Sequence, residues 1–118
     1  MQEEDRQRIL YFLSREERAL REASSLTQEL FDAFERRDEV TLLLYLDMRR
    51  QALECVADKR ERLTLYLEER LSVSQAQLAS DPALKAALDG RNQSLSRLRQ
   101  MDARLNEKAF KKTGKLKK

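Results

Sequence analysis

The amino-acid sequence predicts an all-α protein: an elongated antiparallel helical hairpin followed by a third, C-terminal amphipathic helix. Three observations support this fold class. The 118 residues include only two glycines and one proline, so few positions would interrupt a helix. Apolar residues recur at three- and four-residue spacings along most of the chain, as on a helix with one buried face. Aromatic residues make up only 6%, so aliphatic stripes must form the core.

The first helix is predicted over residues 4–36, where the apolar residues occupy the a, d and e positions of a heptad. A stripe this wide predicts contact with more than one neighbouring helix. Glu16 is the one charged interruption at an a position. The stripe comprises Ile9, Phe12, Leu13, Ala19, Leu20, Ala23, Leu26, Leu30, Ala33 and Phe34.

The second helix is predicted over residues 39–78, with Asp38 accepting hydrogen bonds from the free amides of its first turn. Its beginning is apolar nearly all round, and we therefore expect this end to be the most buried part of the molecule. Farther along, Arg49 and Arg60 fall near the buried stripe, and Glu16 of the first helix is a plausible ion-pair partner for Arg60. The apolar beginning consists of Val40, Leu42, Leu43, Leu44, Tyr45, Leu46 and Met48.

The third helix is predicted over residues 82–110, because Asp81 can cap it and Pro82 suits its first position. Arg91 and Asp102 interrupt its apolar stripe and Gly90 loosens it, so we expect it to pack less firmly than the first two helices. Residues 1–110 then form a single helical domain. The predicted flexible tail, residues 111–118, is part of a lysine-rich end that has no acid after Glu107. Without the six lysines of this end, the rest of the chain is net acidic.

Several function classes are disfavoured by composition. The chain has no histidine and one cysteine, which excludes a zinc site or a Cys–His nucleophile within one chain, so we predict no enzyme, no cofactor and no metal. Residues 42–60 resemble the first long helix of helical chorismate mutases, with Arg49 and Arg60 matching two substrate-binding cations. Asp32, however, stands where that family has an arginine, and its downstream acid-x-x-Arg-Glu motif is missing.

Cellular location and non-protein partners can also be predicted. The single cysteine fits a reducing compartment, and the polar N-terminus does not resemble a signal peptide, so we expect a cytoplasmic protein. No apolar run approaches the roughly 20 residues that a membrane span requires. The lysine-rich tail has no interleaved aromatic residues, and we expect no specific binding of nucleic acid.

Three stretches resemble the FlgN/FliT class of flagellar export chaperones: RRDEVTLL (36–43), DMRRQALECVADKRERL (47–63) and NQSLSRLRQMDARLNEKAF (92–110). Members of this bacterial class are small, cytosolic, all-helical and free of cofactors, and their C-terminal helices hold substrates of type III secretion. The resemblance implies that the third helix binds an amphipathic helix of such a substrate. The implied contact residues are Leu95, Leu98, Met101, Leu105 and Phe110.

The alternative is a structural or adaptor coiled coil that self-associates and has no chaperone role. Both kinds of protein are compatible with a homodimer. They differ in how much apolar surface stays exposed to solvent. An adaptor buries all three apolar stripes in its oligomer. A chaperone keeps one stripe exposed or loosely covered for its substrate.

Overall fold

The computed structural model describes the backbone of residues 1–116 and the side chains of residues 1–108. Within these residues the chain is all-α, as predicted, and forms a rod of 59 × 22 × 21 Å. Helix α1 spans Glu3–Arg36 and α2 spans Glu39–Leu65; a π-helical segment, Tyr66–Leu71, continues α2. The short helix α3 spans Gln75–Leu78, and α4 spans Pro82–Leu116.

The turn between α1 and α2 forms at Arg37 and Asp38, and Asp38 caps α2 as the sequence predicts. Arg37 adopts a left-handed conformation with φ of 56°, and the amide of Asp38 donates to the Ala33 carbonyl at 3.0 Å, which ends α1. The Asp38 carboxylate then accepts hydrogen bonds from the Thr41 hydroxyl at 2.6 Å and the Thr41 amide at 3.1 Å. These two bonds hold the pKa of Asp38 below its ordinary value and begin α2.

The end of the second helix was predicted wrongly. The helical segment that we placed at 39–78 stops at Leu71, and Ser72 turns the chain with a left-handed φ of 53°. Ser74 and Gln77 then form a capping box, in which the Gln77 side chain accepts from the Ser74 amide at 2.7 Å. Because the capping box satisfies backbone amides at Ser74 and Gln77, a new helix begins here, and α3 is a separate short element.

Helix α4 begins at the predicted residue. The Asp81 carboxylate accepts from the amide of Ala83 at 3.0 Å and pairs with Arg6 of α1. Gly90 does not break the helix, whose backbone continues to Leu116, six positions beyond the predicted end. The predicted tail, residues 111–118, lies outside the residues whose side chains are described, and its flexibility stays a prediction.

Helix α1 is the central element, because it packs against both α2 and α4, whereas α2 and α4 have few close backbone approaches to each other within residues 1–116. Helix α2 runs antiparallel to α1, and α4 runs parallel to it. We call the end of the rod that carries the α1–α2 turn the tip, and the opposite end the base.

Two separate apolar clusters make up the core. The base cluster joins residues of α1, the end of α2, α3 and the beginning of α4: Ile9, Leu13, Leu63, Leu67, Leu78, Leu84 and Leu88. The middle cluster lies nearer the tip and consists of Ala19, Leu20, Ala23, Leu26, Ala52, Val56 and Leu98. The wide stripe of α1 contributes to both clusters, which confirms that it packs against more than one neighbour.

Candidate functional site

A buried charged layer separates the two clusters. Glu16 is fully buried, and its Oε2 accepts from Arg60 Nη2 of α2 at 3.0 Å. Its Oε1 accepts from Arg91 Nη1 of α4 at 2.9 Å. Arg91 also donates to the side-chain oxygens of Gln75 at 2.9 Å and Asn92 at 2.8 Å, so every nitrogen of its guanidinium has an acceptor. The layer therefore ties all three long helices together through one carboxylate.

This layer confirms one sequence-based prediction and extends it. The pairing of Glu16 with Arg60 was expected from their positions on the buried stripes. The third member, Arg91, was treated only as an interruption of the apolar pattern of α4. A signal was present, since Arg91 lies seven residues after Leu84 and seven before Leu98, which places it on the same inward face.

A second polar layer lies between the middle cluster and the tip. Arg49 Nε donates to the hydroxyl of Thr27 at 2.9 Å, and its guanidinium pairs with Asp102 of α4. Thr27 is fully buried and donates in turn to the Ala23 carbonyl at 2.7 Å. Arg49 and Arg60, the two cations of the chorismate mutase comparison, are thus both neutralised by carboxylates of the same chain.

Among residues 1–108, the beginning of α2 is the most exposed apolar part, which contradicts our expectation of deep burial. We call its five large exposed residues the tip surface: Val40, Leu43, Leu44, Leu46 and Met48, with exposed fractions of 81%, 66%, 57%, 44% and 39%. The reason is the number of neighbours. Helix α2 turns one face, including Tyr45 and Arg49, toward the other two helices, and nothing within the described residues covers its remaining circumference.

The tip surface is unusually wide for a single helix. At 100° per residue, its members span about 200° of the circumference of α2, roughly twice the apolar arc of a helix that packs on one side. Val40, Leu44 and Met48 form one row at four-residue steps, and Leu43 and Leu46 form another. Leu53 continues the second row into a shallow cleft of about 470 Å³, which it lines together with Leu46 and four other residues of α2.

The five predicted contact residues of α4 have different environments. Leu98 is buried in the middle cluster and Leu95 packs against its edge, so both contribute to the fold of the free chain. Met101 is half-buried and lines a polar cleft between α1 and α4, and Leu105 is half-buried as well. The side chain of Phe110 lies outside the described residues. Contact of these residues with a partner stays a prediction, and it would require α4 to move if Leu98 took part.

Comparisons with known proteins give no relative: no protein-family model, curated protein or solved structure matches this chain. Within residues 1–116 there is no helix with an apolar stretch that could cross a bilayer. Among residues 1–108, whose side chains are described, no three acidic or cysteine side chains come close enough together to hold a metal ion.

Proposed function

We propose that this protein is a non-enzymatic helix-binding protein and that its tip surface holds an amphipathic helix of another protein. The observation that carries the proposal is the tip surface, where five large apolar side chains within nine residues are 39–81% exposed. Large apolar side chains exposed this close together are uncommon on a chain that functions alone, because their burial is favourable and a partner supplies that burial.

A helix is the partner that suits this surface best. Its apolar residues follow the ridges of α2 at three- and four-residue steps, and such ridges pack into the grooves of a second helix. The surface covers about two and a half turns, or roughly 13 Å at 1.5 Å per residue, so the partner must supply at least that length of apolar face.

The cellular role that we propose is export chaperone activity of the flagellar type in the bacterial cytoplasm. The resemblance of residues 36–43, 47–63 and 92–110 to the FlgN/FliT class supports this role, and so does an apolar face open to a substrate. In the alternative role, a self-associating adaptor, a second copy of the chain would cover the same surface. Because both roles bury the tip surface, an experiment has to identify what lies on it.

Site-specific photocrosslinking in the source cells tests the proposal with the full chain. A photoreactive amino acid is placed at Leu44 and, as a matched control, at Leu65, an α2 leucine of similar exposure (57% and 43%) at the other end of the helix. We expect position 44, and not position 65, to crosslink to one or a few secreted filament or junction proteins. Leu43→Asp in the same chain should abolish those crosslinks.

The other outcomes contradict specific parts of the proposal. Crosslinks from position 44 to a second copy of the chain alone would establish the adaptor and reject the chaperone role. Equal crosslinking from both positions, or none from either, would show that the tip surface is not a binding site for a helix.

A further inference from the structure

One row of the tip surface continues farther along α2, and at 100° per residue its members fall within about 80° of the helix circumference. We call it the long row, and it consists of Leu43, Leu46, Leu53 and Ala57. The other row ends at Met48, because Ala52 at its next four-residue step is buried. The long row rises by about 21 Å at 1.5 Å per residue, so it offers a bound helix a longer apolar path than the tip surface alone.

The long row borders the gap between α2 and α4. Three of its members line the cleft of about 470 Å³ together with Arg49, which pairs with Asp102 of α4. Leu53 of α2 and Leu95 of α4 are both half-buried at the edge of the middle cluster. Because α2 and α4 have few close backbone approaches within residues 1–116, a helix on the long row would take the place of a fourth helix beside them.

Three exposed acids follow the long row at seven-residue steps: Asp47, Glu54 and Glu61. Asp47 comes directly after Leu46, and Glu54 directly after Leu53, so each acid lies about 100° round the helix from its leucine, on the side away from the core. The side chains of Asp47 and Glu54 are 53% and 64% exposed. Charged residues that border an apolar seam in this way determine which partner a coiled-coil helix accepts.

One base lies among these acids. Arg50 pairs with Asp47 at 2.7 Å and with Glu54 at 2.6 Å, and its hydrogen bond holds the pKa of Asp47 below the ordinary value. A single guanidinium cannot neutralise two carboxylates, and Glu61 has no cation within ion-pair distance among the described residues. This flank of the long row therefore has three acids and one base.

The remaining bases of α2 do not offset this excess. Arg49 and Arg60 pair with acids of other helices. Lys59 and Arg62 both pair with Asp58, and this group lies on the far side of α2 from the long row. The turn that precedes α2 has no net charge, because residues 36–39 include two bases and two acids. A helix on the long row thus meets a flank with net negative charge.

We infer that the helix held by this protein lies along the long row and presents basic residues, Lys or Arg, to Asp47, Glu54 and Glu61. The inference rests on the proposed function and names its partner by chemistry. Basic residues at seven-residue steps form ion pairs across this interface, whereas a helix with acids there is opposed by like-charge repulsion. A second copy of the chain fits less well, since two α2 helices packed through this flank would bring acids against acids.

Binding of two synthetic peptides to the intact protein tests the charge preference. Both peptides are amphipathic helices with the same leucine face, and the positions that border this face carry Lys in one and Glu in the other. By fluorescence anisotropy we expect the Lys peptide to bind at least about fivefold more tightly at about 10 mM salt, because exposed ion pairs contribute modestly. The preference should shrink at about 150 mM salt, where the screening length falls from about 30 Å to about 8 Å.

Two matched charge variants locate the source of the preference. Replacing Asp47, Glu54 and Glu61 together with their amides should remove it. The control replaces three exposed acids of α1 and α4 in the same way, which changes the net charge equally and should leave the preference intact. These control acids are Glu22, Glu29 and Asp89.

Photocrosslinking tests the path of the bound helix. A photoreactive amino acid is placed at Ala57, in the long row, or at Cys55, which is exposed about 160° away on the same helix. We expect the Lys peptide to crosslink to position 57 and not to position 55. Crosslinking to position 55 instead would show that the helix does not follow the long row.

The results separate the inference from the proposed function. Equal affinity for the two peptides, or tighter binding of the Glu peptide, would overturn the basic preference while helix binding stood. Equal loss of the preference in both charge variants would assign it to overall charge and overturn the role of the flank. Binding of neither peptide would overturn both proposals. If the protein alone formed a dimer that excluded both peptides, the occupant would be a second copy and the inference would be wrong.

Discussion

Replacing Glu16 with alanine would remove the carboxylate that holds two arginines between the apolar clusters. The two arginines differ in their access to water, which determines the size of the effect. The side chain of Arg91 is 7% exposed, and without Glu16 it keeps only the neutral oxygens of Gln75 and Asn92 as acceptors. The side chain of Arg60 is 40% exposed, so water can replace its lost partner.

The expected loss of stability follows from leaving one buried charge unpaired. Removing one member of a buried ion pair destabilises a protein by about 3–5 kcal/mol, and we expect Glu16→Ala to lie near the lower end because Arg91 retains two hydrogen bonds. Arg60→Ala should cost only about 1 kcal/mol, because Glu16 still pairs with Arg91. Since Arg60 and Glu16 contact each other, the two substitutions should be non-additive in a double-mutant cycle.

Urea unfolding followed by far-UV circular dichroism measures the effect. With an m-value of about 2 kcal/mol/M, a loss of about 3 kcal/mol lowers the unfolding midpoint by about 1.5 M. The matched control is Glu17→Ala, since Glu17 is the next residue and its partner Arg21 is 74% exposed. A midpoint shift for Glu16→Ala no larger than that for Glu17→Ala would refute the assignment of Glu16 as the centre of a buried charged layer.

Three further predictions concern the cap, the core and the third helix. The pKa of Asp38 is lower in the folded protein than in the unfolded chain, where it is about 3.9. The Asp38 carboxylate therefore contributes its full stabilisation above about pH 3.9, and this contribution is lost as the pH falls through the pKa of the folded state. The stability difference between the natural chain and Asp38→Ala should thus be smaller at pH 2.5 than at pH 6 in urea titrations. Leu98→Ala should destabilise by about 2–5 kcal/mol, whereas Leu43→Ala, at an exposed position, should stay within about 0.5 kcal/mol; equal midpoint shifts would contradict the burial pattern. Gly90→Ala should raise the melting temperature, because alanine favours a helix by about 1 kcal/mol and the new Cβ meets only the mobile end of the Glu17 side chain at 3.3 Å; a lower melting temperature would show that this contact cannot adjust.

The regular parts of the fold were predictable because they depend on local periodicity. The heptad pattern of α1, the Asp38 cap and the Asp81-Pro82 start of α4 all involve residues a few positions apart, and each is present in the structure. The break after Leu71 was missed because it depends on the left-handed Ser72 and on a capping box. The sequence Ser74-x-x-Gln77 that forms this box was a recognisable signal.

The candidate site was harder to predict because burial depends on how many neighbours a helix has. The residues from Val40 to Met48 are apolar enough for a core, but a sequence does not state whether the chain itself or a partner covers them. Leu98 illustrates the converse. Its place on an amphipathic helix suggested a partner contact, and in the structure the middle cluster contains it. Hydrophobicity thus identified the helix faces that are more stable when buried. Only the arrangement of the helices in the structure showed which of these faces stays exposed to solvent.

The charged layer around Glu16 also has a consequence for the alignment of α4 along α1. Leu88 and Leu95, like Leu98 and Leu105, lie seven residues apart on the inward face of α4, so sliding this helix by one heptad would exchange leucine for leucine at these positions. Such a slide would place Leu84 or Leu98 against the buried carboxylate and leave Arg91 without an anion, which is strongly unfavourable. We therefore expect the charged layer to give α4 one alignment among several that the leucines alone would tolerate, as a single buried polar residue does in a coiled coil.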